Sequence, residues 1–508
     1  MALTEEEIRR LTEEVTRSLA GGASNGAAEQ RPAYTRETKP QRPIYTAETK
    51  SEHAPNRKAQ SFNTYAGAGM SGWLCDTAEE AVDAAMKGFE ALSDMTLQQR
   101  GELIAAMRKA GHDNAEKLAR MAHEETGYGH VEHKIKKNLL AADLTPGIED
   151  LHPVAYTGDA GLTLVEQAPF GVIGSITPST NPTATVINNS ISMIAAGNAV
   201  VFNPHPAAKR ASQEAMRVLN EAIVRAGGPK WLITTVKEPT LESGGIIMNH
   251  PEIHLLSITG GEAVVAAAMK TSKRVVAAGP GNPPVIVDDT AVLPQAARDI
   301  VEGCGYDNNV LCVAEKEVFA FDSIFDELMR LMQAEGAFRV SGEDIDKIVK
   351  TVLIPKGDKH VINRKYVGRD AAVILRDSGV KFTGDPKIVI AEVPKGHPFI
   401  ETEMLMPVLG CCRVHDIDEA VEEAFRAEHG CKHSALIHST NVKNMSKAAR
   451  RMNTTIFVKN APSYAGLGFG GEGFPTLTIA TPTGEGLTSA RTFTRLRRCV
   501  LYGDFRIV

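Results

Sequence analysis

Gly171-Val-Ile-Gly-Ser-Ile-Thr177, followed by Ala199-Val-Val-Phe202 and a long amphipathic run over 207–226, is the passage that decides the fold. Short, continuously apolar, β-branched segments bounded by Gly and Pro read as strands covered on both faces. The alternation continues through Trp231-Leu-Ile-Thr-Thr-Val236, Ile253-His-Leu-Leu-Ser-Ile258, a helix over 261–271 and the strand Arg274-Val-Val-Ala277. Such a series predicts a parallel sheet with helices on both sides, a doubly wound, Rossmann-type α/β arrangement of the kind that binds nucleotides.

Downstream the pattern repeats with Val285-Ile-Val-Asp288, a helix over 293–303, a strand over 317–321 and a helix over 324–333, which predicts a second α/β unit. Upstream, 77–92, 98–126 and 132–142 have helical periodicity and read as helices flanking a sheet. A chain of 508 residues is too long for one ordinary core, so at least two domains are expected. A hydrophobic share of 43% with 23% charged residues is that of a soluble globular protein, and a net charge of -6 favours neither nucleic acid nor an anionic membrane as partner. The seven cysteines are odd in number and lack zinc-type spacing, which points to free thiols in a reducing, cytosolic compartment and to no metal site. The start, Met-Ala-Leu-Thr-Glu-Glu-Glu-Ile, is acidic where a secretory signal is basic, and no apolar run reaches the ~18 residues of a membrane span.

Residues 3–20 stand apart. Thr4 and Glu7 are spaced as a capping box, Ile8, Leu11, Val15 and Leu19 fall within an arc of roughly 80° on a helix, and Gly21-Gly22 ends it. An isolated helix of this length is marginal in water, so its stripe needs a groove, on this protein or on another. Residues 21–62 are poor in bulky aliphatics and carry a repeat, Arg31-Pro-Ala-Tyr-Thr-Arg-Glu-Thr-Lys39 and Arg42-Pro-Ile-Tyr-Thr-Ala-Glu-Thr-Lys50, as suits a flexible linker. A helix on such a tether is placed to bind something other than its own domain.

Three stretches carry chemistry. In Gly305-Tyr-Asp-Asn-Asn-Val-Leu-Cys312 an Asp-Asn-Asn turn signal delivers a thiol to the mouth of a strand, where it can be held and reached. A lone cysteine there is as a rule a small core hydrophobe, so its company has to decide. Thr259-Gly260-Gly261-Glu262 sits between strand and helix, where amides attract phosphate; it lacks a full G-x-G-x-x-G and also suits a plain tight turn. Thr177-Pro178-Ser-Thr-Asn181-Pro182 ends a strand with an amide able to donate to an oxygen that gains negative charge during thiolate attack, though an Asn-Pro turn explains it too.

Together with Val200-Val-Phe-Asn203-Pro204 and Glu403-Met-Leu-Met-Pro-Val408, these stretches resemble, in order and approximate spacing over residues 65–508, the aldehyde dehydrogenase superfamily. The resemblance implies Cys312 as nucleophile and Asn181 as oxyanion-hole amide. Cofactor binding falls to Thr177 and Pro178, to Asn203 and Pro204 on the adenosine side, to Gly260 and Gly261 at the pyrophosphate, and to Glu403 at the nicotinamide ribose. It further implies an NAD/CoA-binding domain over 63–276 with oligomerisation strands near 153–166, a catalytic thiol domain over 277–470, and a return segment with an oligomerisation strand over 471–508. Cys499–Val508 is the expected terminal strand, pairing with another subunit of a homo-oligomer.

One departure narrows the family. Hydrolytic members carry a water-activating Glu where this chain has Ala277-Ala-Gly-Pro-Gly-Asn-Pro283, and no carboxylate occurs between Glu262 and Asp288. Without that base attack by water is slow, whereas a coenzyme A thiolate needs no such help. With Tyr306-Asp-Asn-Asn and His433-Ser-Ala-Leu-Ile-His438, the chain resembles the CoA-acylating aldehyde dehydrogenases. The tethered helix and Glu125-Thr-Gly-Tyr-Gly-His-Val-Glu-His-Lys134 are similar to members packaged in bacterial microcompartments, whose N-terminal helices bind shell or cargo proteins. Implied are a short aldehyde, propionaldehyde before acetaldehyde, NAD and coenzyme A as reactants, and a place inside a cytoplasmic microcompartment. The alternatives are a hydrolytic NAD(P)-dependent dehydrogenase, a glutamyl-phosphate reductase-like enzyme, and a non-catalytic cargo or scaffold protein. His433 suits either a structural or a proton-transfer role, and Cys411-Cys412 reads as packing in a strand over 408–414.

Overall fold

The computed structural model describes residues 72–357 and 359–508. The helix expected over 3–20 and the linker over 21–62 lie outside them. In chain order, β1 (Leu74–Cys75) precedes a block of helices, and β2 (Val154–Gly158) and β3 (Gly161–Pro169) form an antiparallel hairpin. Then β4 (Val172–Thr177), β5 (Ala199–Pro204), β6 (Ile233–Val236), β7 (Ile253–Thr259) and β8 (Arg274–Ala278) join β1 in a parallel sheet ordered β1-β6-β5-β4-β7-β8. The chain leaves β4 towards β5 and β6 on one side and returns to build β7 and β8 on the other. The carboxyl ends of β4 and β7 are therefore the switch point, the usual ligand position in such a sheet.

Residues 279–283 lead from β8 into β9 (Pro284–Val287), the first strand of a second sheet, and the expected domain edge at 276 falls inside β8. This sheet adds β10 (Glu317–Phe321), β11 (Ala337–Val340), a hairpin of β12 (Leu353–Lys356) and β13 (Lys359–Ile362) set to one side, then β14 (Ile388–Glu392), β15 (Val408–Val414), β16 (Ser434–His438) and β17 (Ile456–Lys459). Its order is β11-β14-β15-β10-β9-β16-β17, again parallel throughout. Because β8 continues directly into β9, the carboxyl edge of the first sheet meets the amino edge of the second. Cys312, just before β10, lies in that seam.

After β17 the chain returns to the first unit through β18 (Ile479–Ala480) and β19 (Gly486–Leu487), with Ala480, Ala490 and Phe493 packed into its core. It ends in β20 (Thr494–Tyr502), antiparallel to β3. Within the chain the terminal strand starts ahead of the expected Cys499. Pairing begins at Thr494 opposite Pro169 and stops at Tyr502 opposite Gly161, because β3 offers no partner beyond that turn.

Two more expectations change. The run 98–126 is two helices, Leu97–Asp113 and Ala115–Thr126, parted at Asn114, whose side-chain amide donates to Ala110 O at 2.9 Å and competes with helix continuation. The helix Pro182–Ala195 was not foreseen. All 14 of its residues are buried, so it has no polar stripe from which periodicity could be read. Among the described residues no helix is long and apolar enough to cross a membrane.

Ile187, in the middle of that buried helix, is wholly inaccessible. Ile187→Ala should cost about 3 kcal/mol and lower the thermal unfolding midpoint; an unchanged midpoint would mean the helix is not packed as described.

Candidate active site

The candidate site is built on a strained turn. Asp307, Asn308 and Asn309 have φ of 51°, 53° and 65°, three consecutive non-glycine residues in the left-handed region. Asp and Asn enter that region more readily than other residues, and here each is held by its neighbours. The Asp307 amide donates to His133 Nδ1 at 2.9 Å, and its carboxylate accepts from the His130 amide at 2.8 Å, from Lys134 Nζ at 3.0 Å and from Lys137 Nζ. Asn308 Nδ2 donates to Gly368 O at 3.0 Å and Asp370 Oδ1 at 2.8 Å. Asn309 Nδ2 donates to Cys304 O and Glu315 O, both at 3.0 Å, while buried Lys316 Nζ donates to Asn309 O at 3.0 Å and Leu311 O at 3.2 Å. A Cβ at Gly129 would sit 1.9 Å from Asp307 Oδ1, so only glycine lets the entry to helix Val131–Leu144 come this close.

Cys312 follows this turn and is half-buried. Burial pushes its thiol up to about 12, the Glu403 carboxyl pushes the same way, and Lys316 and Lys137 pull against them. Glu403 Oε1 accepts from the Gly281 amide at 3.3 Å, and burial holds its carboxyl above the ordinary range. A Cβ at Gly281 would meet Cys312 O at 3.0 Å and the His433 ring at 2.8 Å, which places these groups in one cluster. His433 is fully buried, with Nδ1 2.9 Å from Ser434 Oγ, and burial followed by Lys316 draws it down to about 4, so the imidazole is neutral. Its Nε2 has no hydrogen-bond partner among the described residues.

Asn181 ends the loop after β4 and is the N-cap of helix Pro182–Ala195, and its Oδ1 accepts from Lys137 Nζ. Lys134, Lys137, Lys316 and Asp307 were missed as site residues. A signal existed for two of them, since Lys134 and Lys137 share the helical face of Asn138 and Ala141, where lysine is out of place unless paired. Burial draws Lys137 down to about 8 against the pull of Asp307. Burial acts upward on Asp307, but Lys137 and Lys134 more than offset it and keep the carboxyl below its usual range.

At the switch point of the first sheet, Thr177 Oγ1 is buried without a partner among the described residues, and Thr177 O accepts from the His205 amide at 3.0 Å. Pro178 follows it, and Pro204 lies opposite Thr177 across β4 and β5. Both ends of the Asn203 amide are engaged: Nδ2 donates to Thr240 O at 3.2 Å and Oδ1 accepts from Ser243 Oγ at 2.6 Å, so Asn203 ties down the cleft wall. Across the switch point, a Cβ at Gly260 would touch only Val264, at 3.8 Å, and one at Gly261 would meet open space. Internal packing therefore does not require glycine there, whereas a phosphate-bearing ligand approaching the backbone does. The bare turn at Gly260 and Gly261 leaves room for such a ligand at the end of β7.

Ala277, where a water-activating Glu would stand, is buried in β8 with its amide donating to Thr483 Oγ1 at 3.0 Å. The thiol still feels the carboxyl of Glu403. Cys411 and Cys412 are buried in β15, where they pack.

A doubly wound sheet joined at its carboxyl edge to a second sheet that carries a desolvated thiol on a rigid turn is an arrangement suited to a dehydrogenase with a covalent sulfur intermediate. The chain belongs to the aldehyde dehydrogenase family, whose model matches residues 70–473. It is 52% identical over 443 residues to an acetaldehyde dehydrogenase (acetylating) of Bilophila wadsworthia, spanning 86% of this chain and 91% of that one. It is 47% identical over 429 residues to a propanal dehydrogenase (CoA-propanoylating) of Citrobacter freundii, spanning 84% and 92%. Among solved structures, a propionaldehyde dehydrogenase from the Clostridium phytofermentans fucose utilisation bacterial microcompartment superposes with a TM-score of 0.84 at 49% identity, covering 86% of this chain and all of that one. The Rhodopseudomonas palustris propionaldehyde dehydrogenase, with bound CoA and an acylated cysteine, superposes with a TM-score of 0.83 at 45% identity, covering 85% and 99%.

A thiol raised this far should alkylate slowly at neutral pH in the free enzyme. Iodoacetamide labelling of the Cys312 peptide, followed by mass spectrometry, should rise about tenfold per pH unit from pH 7 to pH 10 without levelling. A plateau below pH 9 would contradict the desolvated environment.

Proposed function

We propose that this chain oxidises short aldehydes, propionaldehyde and acetaldehyde, with NAD+ and coenzyme A, and releases acyl-CoA. The observation that carries it is the buried alanine at 277, which leaves a chain with a thiol on a rigid turn and no carboxylate at the position of the water-activating Glu. The acylating names of the relatives and the acylated cysteine of the Rhodopseudomonas enzyme support the same chemistry. Cys312, as thiolate, adds to the aldehyde carbon, and the oxygen that becomes negative takes hydrogen bonds from Asn181 Nδ2 and the Cys312 amide. Thr177, Pro178, Asn203, Pro204, Gly260 and Gly261 wall the cleft for NAD+, with Glu403 at its ribose. When bound, NAD+ supplies the hydride acceptor. The acyl group is left on Cys312 as a thioester. The coenzyme A sulfur attacks its carbonyl carbon and the Cys312 sulfur departs, one C–S bond forming as another breaks.

NADH formation with each aldehyde, with and without coenzyme A, tests this. Without coenzyme A a burst of about one equivalent per active site should give way to a steady rate roughly 100-fold slower than with it, and Cys312→Ala should abolish both phases. Sustained release of free acid without coenzyme A would favour the hydrolytic alternative.

Residues 63–276 serve as the nucleotide half, 277–470 as the thiol half, and 471–508 as the return segment with its terminal strand. The three-stranded sheet β2-β3-β20 suits a contact between subunits, since Val154, Tyr156, Leu496, Val500, Leu501 and Tyr502 are exposed on it. Residues 1–20 act as an encapsulation segment that binds microcompartment shell or cargo protein and brings the enzyme into such a compartment in the cytoplasm. Deleting residues 1–20 should abolish co-purification with shell proteins and leave turnover within about twofold; loss of turnover would assign that segment to the enzyme itself.

A further inference from the structure

Asparagine at a helix N-cap normally turns its side-chain oxygen onto the first free amides of the helix. Asn181 does not: it makes no side-chain cap hydrogen bond, and its Oδ1 faces the ammonium of Lys137. That ammonium is only 3% exposed and is paired on its other side with the wholly buried Asp307. Lys134, 4% exposed, also pairs with Asp307, so the carboxylate keeps a counter-ion without Lys137.

We propose that Lys137 is a positioning residue for the oxyanion-binding amide: clamped by Asp307, it fixes Asn181 with Oδ1 turned into the protein and Nδ2 presented to the reacting oxygen. The inference rests on the oxyanion role of Asn181 given above. A carboxamide is nearly symmetric in shape but opposite in function at its two ends, and a half-turn about its last bond would aim an acceptor at a developing negative charge. An ammonium group has donors only and accepts nothing, so it admits one orientation of the amide facing it. Because the clamp is Asp307, the carboxylate that anchors the Lys137 contact belongs to the same turn that delivers Cys312. Nucleophile and oxyanion donor thus share one reference point.

The test uses the full chain, the pre-steady-state NADH burst and steady-state kinetics, with thermal unfolding as a check on folding. Asn181→Ala should slow the burst roughly 100-fold. Lys137→Met should slow it by roughly 10- to 100-fold with the KM for aldehyde and for coenzyme A within about threefold, and in the Asn181→Ala background it should add less than about threefold. Lys137→Gln, whose amide can still donate to Oδ1, should stay within about tenfold of the wild type. Losses that multiply in the double variant would mean that Lys137 acts on the thiol or the fold directly, and would overturn the proposal, as would a fully active Lys137→Met. Should Lys137→Met fail to fold, Lys137→Gln decides, since a neutral donor that loses more than about tenfold points to charge pairing alone. An Asn181→Ala enzyme as fast as wild type would instead overturn the oxyanion assignment itself.

Discussion

A carboxylate buried in a left-handed turn is the constraint on which the rest of this molecule depends. Desolvating Asp307 costs several kcal/mol, and the three left-handed residues cost roughly 1–2 kcal/mol each. Two ammonium groups from helix Val131–Leu144 and the amide at its entry offset that cost. Without Asp307 the two lysines would be buried cations lacking their carboxylate. Holding the turn fixes where Cys312 emerges, and the same helix reaches Asn181 through Lys137. The seam between the two sheets is thereby set by charge pairing, while apolar packing builds the sheets on either side.

The surroundings of the thiol bear on which acceptor takes the acyl group. Burial raises the thiol, and Glu403 raises it further. His433, lowered by burial, is neutral, and its position is held by Ser434 and the Glu428 carboxylate, which accepts from its amide at 2.9 Å. No carboxylate occurs in 263–287, the stretch where hydrolytic members carry their water-activating Glu. Exchange of one thioester for another is close to thermoneutral and brings its own nucleophile. A CoA-acylating dehydrogenase is the enzyme that such a site can be.

Much of this was legible before any coordinates. Continuous β-branched runs separated by Gly and Pro specify parallel, doubly covered strands because no other environment hides both of their faces, and all the strands expected in the first sheet are present. Helix Pro182–Ala195 escaped for the complementary reason, since burial on every side leaves no periodicity to detect. Asn114 broke an apparently continuous helix through a local hydrogen bond that composition does not reveal. Asn203 is tied down at both ends of its amide, in part by Ser243 40 residues along the chain, a pairing that the sequence does not reveal.

Left to itself, the amino-acid order determined the alternation of strands and helices, the Asp-Asn-Asn turn before a single thiol, the missing carboxylate between 262 and 288, and with these the family and its chemistry. These are local properties, set by side-chain shape and by what each residue type can or cannot do. Tertiary structure alone decided that Lys134 and Lys137 turn inward to Asp307, that Lys316 ties down the turn, and that Glu403 lies against the thiol through Gly281. Those contacts join segments separated by up to 173 residues, and a buried charge acquires its meaning only when folding has chosen its partner and removed the water.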